Sequence, residues 1–154
     1  MNDCLVIIPT YNEKENIEDI INAVFKLEKT FDILIIDDAS PDGTGNIVQK
    51  LQSELKSTNH HLHYIERSGK LGLGTAYIEG FKFAIEKKYD FIFEMDADFS
   101  HNPQDLLKLY DSCAIKKNDM AIGSRYVKGV NVVNWPMGRV LMSYLASIYV
   151  RIIT

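Results

Sequence analysis

Asp96 and Asp98 stand one residue apart, directly after the apolar run Phe91-Ile92-Phe93-Glu94-Met95. Two carboxylates at the carboxyl end of a buried strand face the crevice where open α/β sheets take their ligands. Held that close they repel each other, and a cation between them relieves the repulsion: most simply Mg2+ or Mn2+ carrying a phosphate ligand. A solvated turn is the competing reading, because Asp is common in turns and after strands. The motif alone does not choose between them.

Other apolar runs end in polar clusters of the same kind. Thr10-Tyr11-Asn12-Glu13, Asp37-Asp38, Asp96-Ala97-Asp98-Phe99-Ser100-His101 and Ser124-Arg125-Tyr126 each follow a strand-like segment. In a parallel sheet such ends share one edge, and acids, an arginine and an aromatic ring gathered there describe a site. Tyr11 offers a face for a nucleobase, and Glu13, Asp37 and Asp38 offer acceptors to base and ribose. Taken singly each has a plainer role: Glu13 as a first-turn helix acid, Asp38 and Asp42 as turn formers, Tyr11 as edge packing. Lys70-Leu71-Gly72-Leu73-Gly74 precedes a helical pattern. Gly72 and its neighbours would let backbone approach a phosphate while Lys70 supplies charge. This run has neither the three spaced glycines of a dinucleotide fold nor a phosphate-loop Gly-Lys-Ser/Thr, so nicotinamide-dinucleotide and ATPase readings lose support.

A further pattern lies in the tail. Arg139, Ser143, Ser147 and Arg151 recur every four residues and form one polar stripe on a helix otherwise covered by apolar side chains. Such a helix suits a lipid with a phosphate head. A mostly buried helix with one solvated edge is the plainer reading of the same spacing.

The elements that must position these residues can be read from periodicity. Leu5 to Pro9 and Ile33 to Ile36 are all-apolar runs expected as strands buried on both faces. Between them Ile17, Ile20, Ile21, Val24 and Phe25 repeat at helical spacing, with Asn12 and Glu15 expected as a capping box. Ile47, Val48, Leu51 and Leu55 mark a second helix; Leu62 to Ile65 a strand; Phe81, Ala84 and Ile85 a third helix; Phe91 to Met95 the next strand. Pro103 is placed to open a helix through Leu106, Leu107, Leu109, Tyr110 and Cys113, and Met120 to Gly123 is expected as a fifth strand. Alternating strand and helix predict an α/β fold with a mainly parallel, helix-covered sheet. The 154 residues fit one domain. A net charge of −4 argues against nucleic acid as the main partner. Cys4 and Cys113 have no ligand spacing and suggest a reducing, cytoplasmic setting. The start lacks signal-peptide features, and no apolar run reaches the ~18 residues of a membrane span. The sequence stops inside the tail's apolar pattern, which leads to the expectation of a C-terminally truncated protein.

Pro9-Thr10-Tyr11-Asn12-Glu13, Asp37-Asp38-Ala39-Ser40-Pro41-Asp42-Gly43-Thr44, Gly69 to Ala76, Asp96 to His101 and Gly123-Ser124-Arg125-Tyr126, taken in order, resemble polyprenyl (dolichyl) phosphate mannosyltransferases. These are inverting family 2 glycosyltransferases with a Rossmann-like GT-A fold. The resemblance spans nearly the whole chain. It implies a nucleotide-diphosphate sugar donor, GDP-mannose foremost and UDP-glucose as the alternative, and a polyprenyl phosphate acceptor at the cytoplasmic face of a membrane. It places Pro9, Tyr11, Glu13 and Asp38 in the nucleoside pocket, and Asp96 and Asp98 on Mg2+ or Mn2+ at the diphosphate. It places Arg125, Arg139 and Ser143 on the acceptor phosphate, with residues 139–154 as the acceptor- or membrane-facing helix. Family members continue well past this length, which puts acceptor binding by this chain in question. Two other likenesses compete. Asp96-Ala97-Asp98-Phe99-Ser100 resembles the nucleophile motif of haloacid-dehalogenase-type phosphatases, and Asp37-Asp38 resembles the acidic pair of a response-regulator receiver. Those motifs follow the first strand in their families, and here they do not.

Overall fold

The structure is a computed structural model and describes residues 3–55, 59–124 and 137–153, the side chains of Arg139 and Arg151 excepted. Strands and helices alternate as β1 (Cys4–Thr10), α1 (Ile17–Phe25), β2 (Asp32–Asp37), α2 (Thr44–Leu55), β3 (Leu62–Glu66), α3 (Leu73–Glu86), β4 (Phe91–Glu94) and α4 (Asp105–Ala114), and α5 (Met137–Ile153) follows. The chain divides into two compact units, Met1–Ala121 and Ile122–Thr154. The first holds the sheet; the second holds α5.

The four strands are all parallel and lie in the order β3-β2-β1-β4. Uninterrupted apolar runs dictate this, because a parallel strand covered on both faces has no polar side. Successive residues of β1 and β2 alternate between two cores. Val6, Ile8, Ile33 and Ile35 pack with Ile17, Ile20, Ile21 and Val24 of α1, Val48 and Leu51 of α2, and Leu106 of α4. Leu5, Ile7, Leu34 and Ile36 face Ala76 and Ala84 of α3. Each such Ile or Leu contributes about 1.5–3 kcal/mol on full burial. Gly80 lies one turn from both alanines, and a Cβ added there would meet Ile7 Cγ2 at 2.7 Å and Cδ1 at 2.8 Å. The stripe 76, 80, 84 thus brings α3 close to the sheet.

At the amino edge, buried Asp32 accepts Tyr89 Oη at 2.8 Å and lies 3.1 Å from His61 Nδ1, while His63 Nε2 is 3.1 Å from Tyr89 Oη. This network ties the starts of β2 and β3 to the α3–β4 turn.

Three local expectations are corrected. Residues 120–123 carry no strand, and Met120 and Ile122 are 74% and 76% exposed. Four residues with one β-branched side chain and a terminal glycine offer little to a ladder. The Asn12/Glu15 capping box does not form. Asn12 is left-handed with φ 60°, and α1 starts at Ile17 behind Asn16, whose side chain makes no cap bond; Asn16 Nδ2 instead donates to Glu13 Oε2 at 2.9 Å. Pro103 lies in the turn ahead of α4, its carbonyl accepting Leu106 N at 3.1 Å. The helical tail is present as α5, and among the described residues no helix is long and apolar enough to cross a membrane.

Candidate active site

Strand register sets the site. Thr10 pairs with Asp37 and Ile7 with Glu94, and Met95 N donates to Ile7 O at 3.1 Å. Continuing two residues along the strand line brings Asp96 level with Pro9. The loops after β1, β2 and β4 therefore converge on one carboxyl edge, and the loop after β3 joins them. Each of the four turns on a residue with left-handed backbone: Asn12 (φ 60°), Ala39 (φ 53°), Gly72 (φ 97°) and Phe99 (φ 58°).

The adjacent acids Asp37 and Asp38 point to different partners. Asp37 is 1% exposed; its Oδ1 accepts Thr10 Oγ1 at 2.9 Å and Ser40 Oγ at 2.5 Å, and its Oδ2 accepts Ser40 N at 2.9 Å. At the end of β2 it braces Thr10 and Ser40, tying the loops after β1 and β2 together. Asp38 pairs with Arg67, which is also buried. Arg67 Nε donates to Asp38 Oδ1 at 2.5 Å and Nη2 reaches the same oxygen; Nη1 donates to Thr75 Oγ1 at 2.7 Å and Nη2 to Gly72 O at 3.0 Å. Asp38 Oδ2 accepts Leu71 N at 3.1 Å and Gly72 N at 3.3 Å. The pair clamps the loop leading into α3 beneath the crevice, and Gly72 supplies the positive φ that lets the loop fold back. Arg67 is absent from the sequence-derived site. It follows β3 directly, in the same place as the polar clusters that end the other strands, which is its signal in the sequence.

Lys70 rides on that clamped loop, its Nζ 4.2 Å from the centroid of the Tyr11 ring, so the expected phosphate cation and the expected stacking face meet. Glu13 is half-buried, and Pro9 closes β1 opposite Ile36. A concavity of about 70 Å³ lined by Asp37, Ser40, Asn46, Gln49, Tyr64 and Glu66 lies beside this edge. Of the expected donor residues it includes only Asp37.

Beyond β4 the chain makes a tight turn. Asp98 is exposed, and its Oδ1 and Oδ2 accept Ser100 N and Ser100 Oγ, each at 2.9 Å. Burial alone would raise this carboxyl; the two Ser100 bonds and the nearby His101 outweigh it and hold Asp98 below 3.8. Asp96 N donates to His101 Nδ1 at 3.2 Å, and His101 Nε2 lies 3.7 Å from Asp96 Oδ2. From α3, Tyr77 is pushed well above its ordinary phenol value by burial first, then by the charges of Asp96 and Glu94. Among the described residues no group of three or more His, Cys, Asp and Glu gathers to hold an ion. A donor set of two carboxylates, Asp98 with lone pairs to spare beyond its Ser100 bonds, suits Mg2+ or Mn2+ whose other ligands are phosphate oxygens and water.

Of the expected acceptor residues, Arg125 lies outside the described residues, as does the side chain of Arg139. Ser143 is half-buried on α5, and its carbonyl accepts Ser147 Oγ at 2.9 Å.

Comparison with known proteins gives this edge a context. The chain is 43% identical over 148 residues to the undecaprenyl-phosphate mannosyltransferase of Micrococcus luteus, covering 96% of this chain and 58% of that protein. It is 44% identical over 147 residues to the polyprenol monophosphomannose synthase of Mycolicibacterium smegmatis, covering 96% and 54%. It thus spans a little over half the length of these relatives. The fold matches the crystal structure of S. aureus TarS 1–349 with a TM-score of 0.65 at 25% identity, over 86% of this chain and 38% of that one. Residues 5–151 match the family described as Glycosyl transferase family 2, and that span takes in every strand residue but Cys4 and every loop of the carboxyl edge: the chain belongs to glycosyl transferase family 2.

Proposed function

We propose that this chain carries the donor-binding part of an inverting transfer of mannose from GDP-mannose to a polyprenyl phosphate at the cytoplasmic face of a membrane. One observation carries the reading: the Tyr11–Lys70 contact, the Asp38–Arg67 clamp and the Asp96–Asp98 turn converge on one sheet edge in a chain with two relatives named for mannosyl transfer to polyprenyl phosphates.

In this proposal Tyr11 and Glu13 take the nucleoside, with Pro9 shaping the floor of the pocket and the Asp38–Arg67 pair holding the loop of Lys70 and Gly72 against it. Lys70 leaves the Tyr11 ring for the diphosphate when the donor enters. Asp96 and Asp98 would hold Mg2+ or Mn2+, which when bound offsets charge on the departing diphosphate. Asp37 keeps the floor in place. Arg125, Arg139 and Ser143 would receive the acceptor phosphate, the two arginines offsetting its negative charge. A lipid monophosphate has a second pKa of about 6 and is largely dianionic at neutral pH. Its oxygen can attack the anomeric carbon without a protein base, so no His or Glu needs to stand at the reacting centre.

Calorimetric titration of GDP-mannose and UDP-glucose with Mn2+, repeated in excess EDTA, tests the reading. Metal-dependent binding of GDP-mannose supports it. Tighter binding of UDP-glucose moves the donor to glucose, and no binding by folded protein overturns it.

A further inference from the structure

Three consecutive backbone N–H groups on the loop after β1 each donate to a side chain on the loop into α2 or on that helix's first residue. Asn12 N donates to Ser40 Oγ at 2.9 Å, Glu13 N to Thr44 Oγ1 at 3.0 Å and Lys14 N to Asp42 Oδ2 at 3.0 Å. The donors are successive and the acceptors alternate, so the two loops mesh as a comb. The comb is anchored on its far side. Ser40 Oγ spends its proton on Asp37 at 2.5 Å, and Thr44 Oγ1 spends its proton on Asp42 Oδ1 at 2.6 Å, which also accepts Thr44 N at 3.0 Å. Each hydroxyl therefore has only lone pairs left to offer the loop, which fixes the direction of every bond. Asp42 serves both sides, Oδ1 toward Thr44 and Oδ2 toward Lys14. Burial alone would raise its carboxyl, and the bonds from Thr44 and Lys14 hold it below 3.8.

A loop containing left-handed Asn12 has no regular ladder for these N–H groups, and without the comb they would go to water. Tyr11 and Glu13 hang from this stretch of backbone. We infer that Ser40, Asp42 and Thr44 are positioning residues for the donor nucleoside, holding the loop from which Tyr11 presents its ring and Glu13 its carboxylate. This rests on the reading above that the loop receives the nucleoside. The Ser-Pro-Asp-Gly-Thr run is thereby more than a turn: it is the template against which the neighbouring loop is cast.

The test combines a readout that needs no ligand with one that does. Amide hydrogen exchange of Asn12, Glu13 and Lys14 is followed by NMR in wild type and Asp42→Ala, and GDP binding with Mn2+ is measured across the cycle wild type, Asp42→Ala, Tyr11→Ala and the double variant. Expected is exchange at Glu13 and Lys14 faster by about tenfold or more, with the amides of Val6–Ile8 and Ile33–Ile36 unchanged. GDP affinity should fall about tenfold in Asp42→Ala but by less than about twofold when Tyr11 is already Ala, because the two act through one contact. A merely structural Asp42 would lower melting temperature and leave GDP affinity intact; that result, or additive losses in the cycle, overturns the inference. If wild type binds no GDP although its residue 12–14 amides are protected and Asp42→Ala exposes them, the nucleoside reading fails and the positioning role falls with it, while the comb stands as architecture. Should Asp42→Ala not fold, Asp42→Asn keeps an acceptor toward Thr44 and turns an amide NH2 toward Lys14 N–H; the same pattern, strongest at Lys14, is expected from it.

Discussion

Replacing Arg67 by methionine keeps the aliphatic stem and removes the guanidinium of a residue that is 7% exposed, beside Asp38, which is also 7% exposed. In the intact protein Arg67 gives Asp38 its only cationic partner among the described ion pairs and also serves Thr75 Oγ1 and Gly72 O. Methionine leaves Asp38 with two backbone donors, Leu71 N at 3.1 Å and Gly72 N at 3.3 Å. A buried ion pair broken on one side costs about 3–5 kcal/mol, chiefly because the remaining charge stays desolvated. Against a total stability of about 5–15 kcal/mol, the variant should still fold in the absence of denaturant. With a urea slope of about 1–3 kcal/mol per molar, the midpoint should drop by roughly 1–5 M. The companion variant Arg67→Met/Asp38→Leu removes both charges and should recover much of the loss, since apolar replacement of a whole pair is often close to neutral. Equilibrium urea unfolding followed by circular dichroism measures both. A single variant within about 1 kcal/mol of wild type, or a double variant worse than the single, would refute the claim that a desolvated charge pair clamps this loop.

Other outcomes follow from the same geometry. Asp98→Ala should abolish metal-dependent donor binding with little change in melting temperature, because its bonds are confined to an exposed turn; calorimetry with and without EDTA reads this directly. Gly80→Ala should destabilise by about 1–3 kcal/mol, since the new Cβ meets the branched Ile7 side chain in a packed core, and thermal melting checks it. Burial holds the His63 imidazole below 6.5, with Asp32 opposing and His61 and Lys87 adding to the depression. A depressed histidine takes up its proton more readily in the unfolded chain, so this contribution to stability is complete above pH 6.5 and is lost as pH falls from there through the folded value. Melting temperature should therefore fall more steeply below pH 6.5 in wild type than in His63→Gln, and equal slopes would rule the site out. Arg139→Ala should keep GDP-mannose affinity and lose transfer to a short polyprenyl phosphate, measured as product by chromatography.

The strands are legible because Leu5–Ile8 and Ile33–Ile36 are unbroken apolar runs, and a strand buried on two faces leaves no ambiguity of face. Met120–Gly123 shows how far that signal reaches: the run is apolar, but with one β-branched residue and no register partner it stays out of the ladder. The Asp96–Asp98 turn is legible because its chemistry is local, and Ser100, which holds Asp98, lies two residues away. Asp37 and Asp38 are neighbours of the same residue type with opposite fates. The difference lies in partners 27 and 29 residues distant along the chain, Thr10 and Arg67, which no local window contains. The mesh of Asn12, Glu13 and Lys14 with Ser40, Thr44 and Asp42 escapes for the same reason, and it also displaced the capping box that local spacing had suggested.

The central place of β1 has a consequence for how the molecule comes to exist. Its two neighbours in the sheet are Asp32–Asp37 on one side and Phe91–Glu94 on the other, and all pairings are parallel, so no hairpin can form while the chain is short. During synthesis at roughly 5–20 residues per second, Cys4–Ile8 emerges first and waits several seconds for its second partner, with one backbone edge open even after β2 is available. Long-range parallel pairing of this kind is slow and exposes the nascent chain to association. The segment that will form the floor of the site is thus the one most in need of a chaperone, and yield on expression should respond to translation rate and temperature more than to any change at the finished surface.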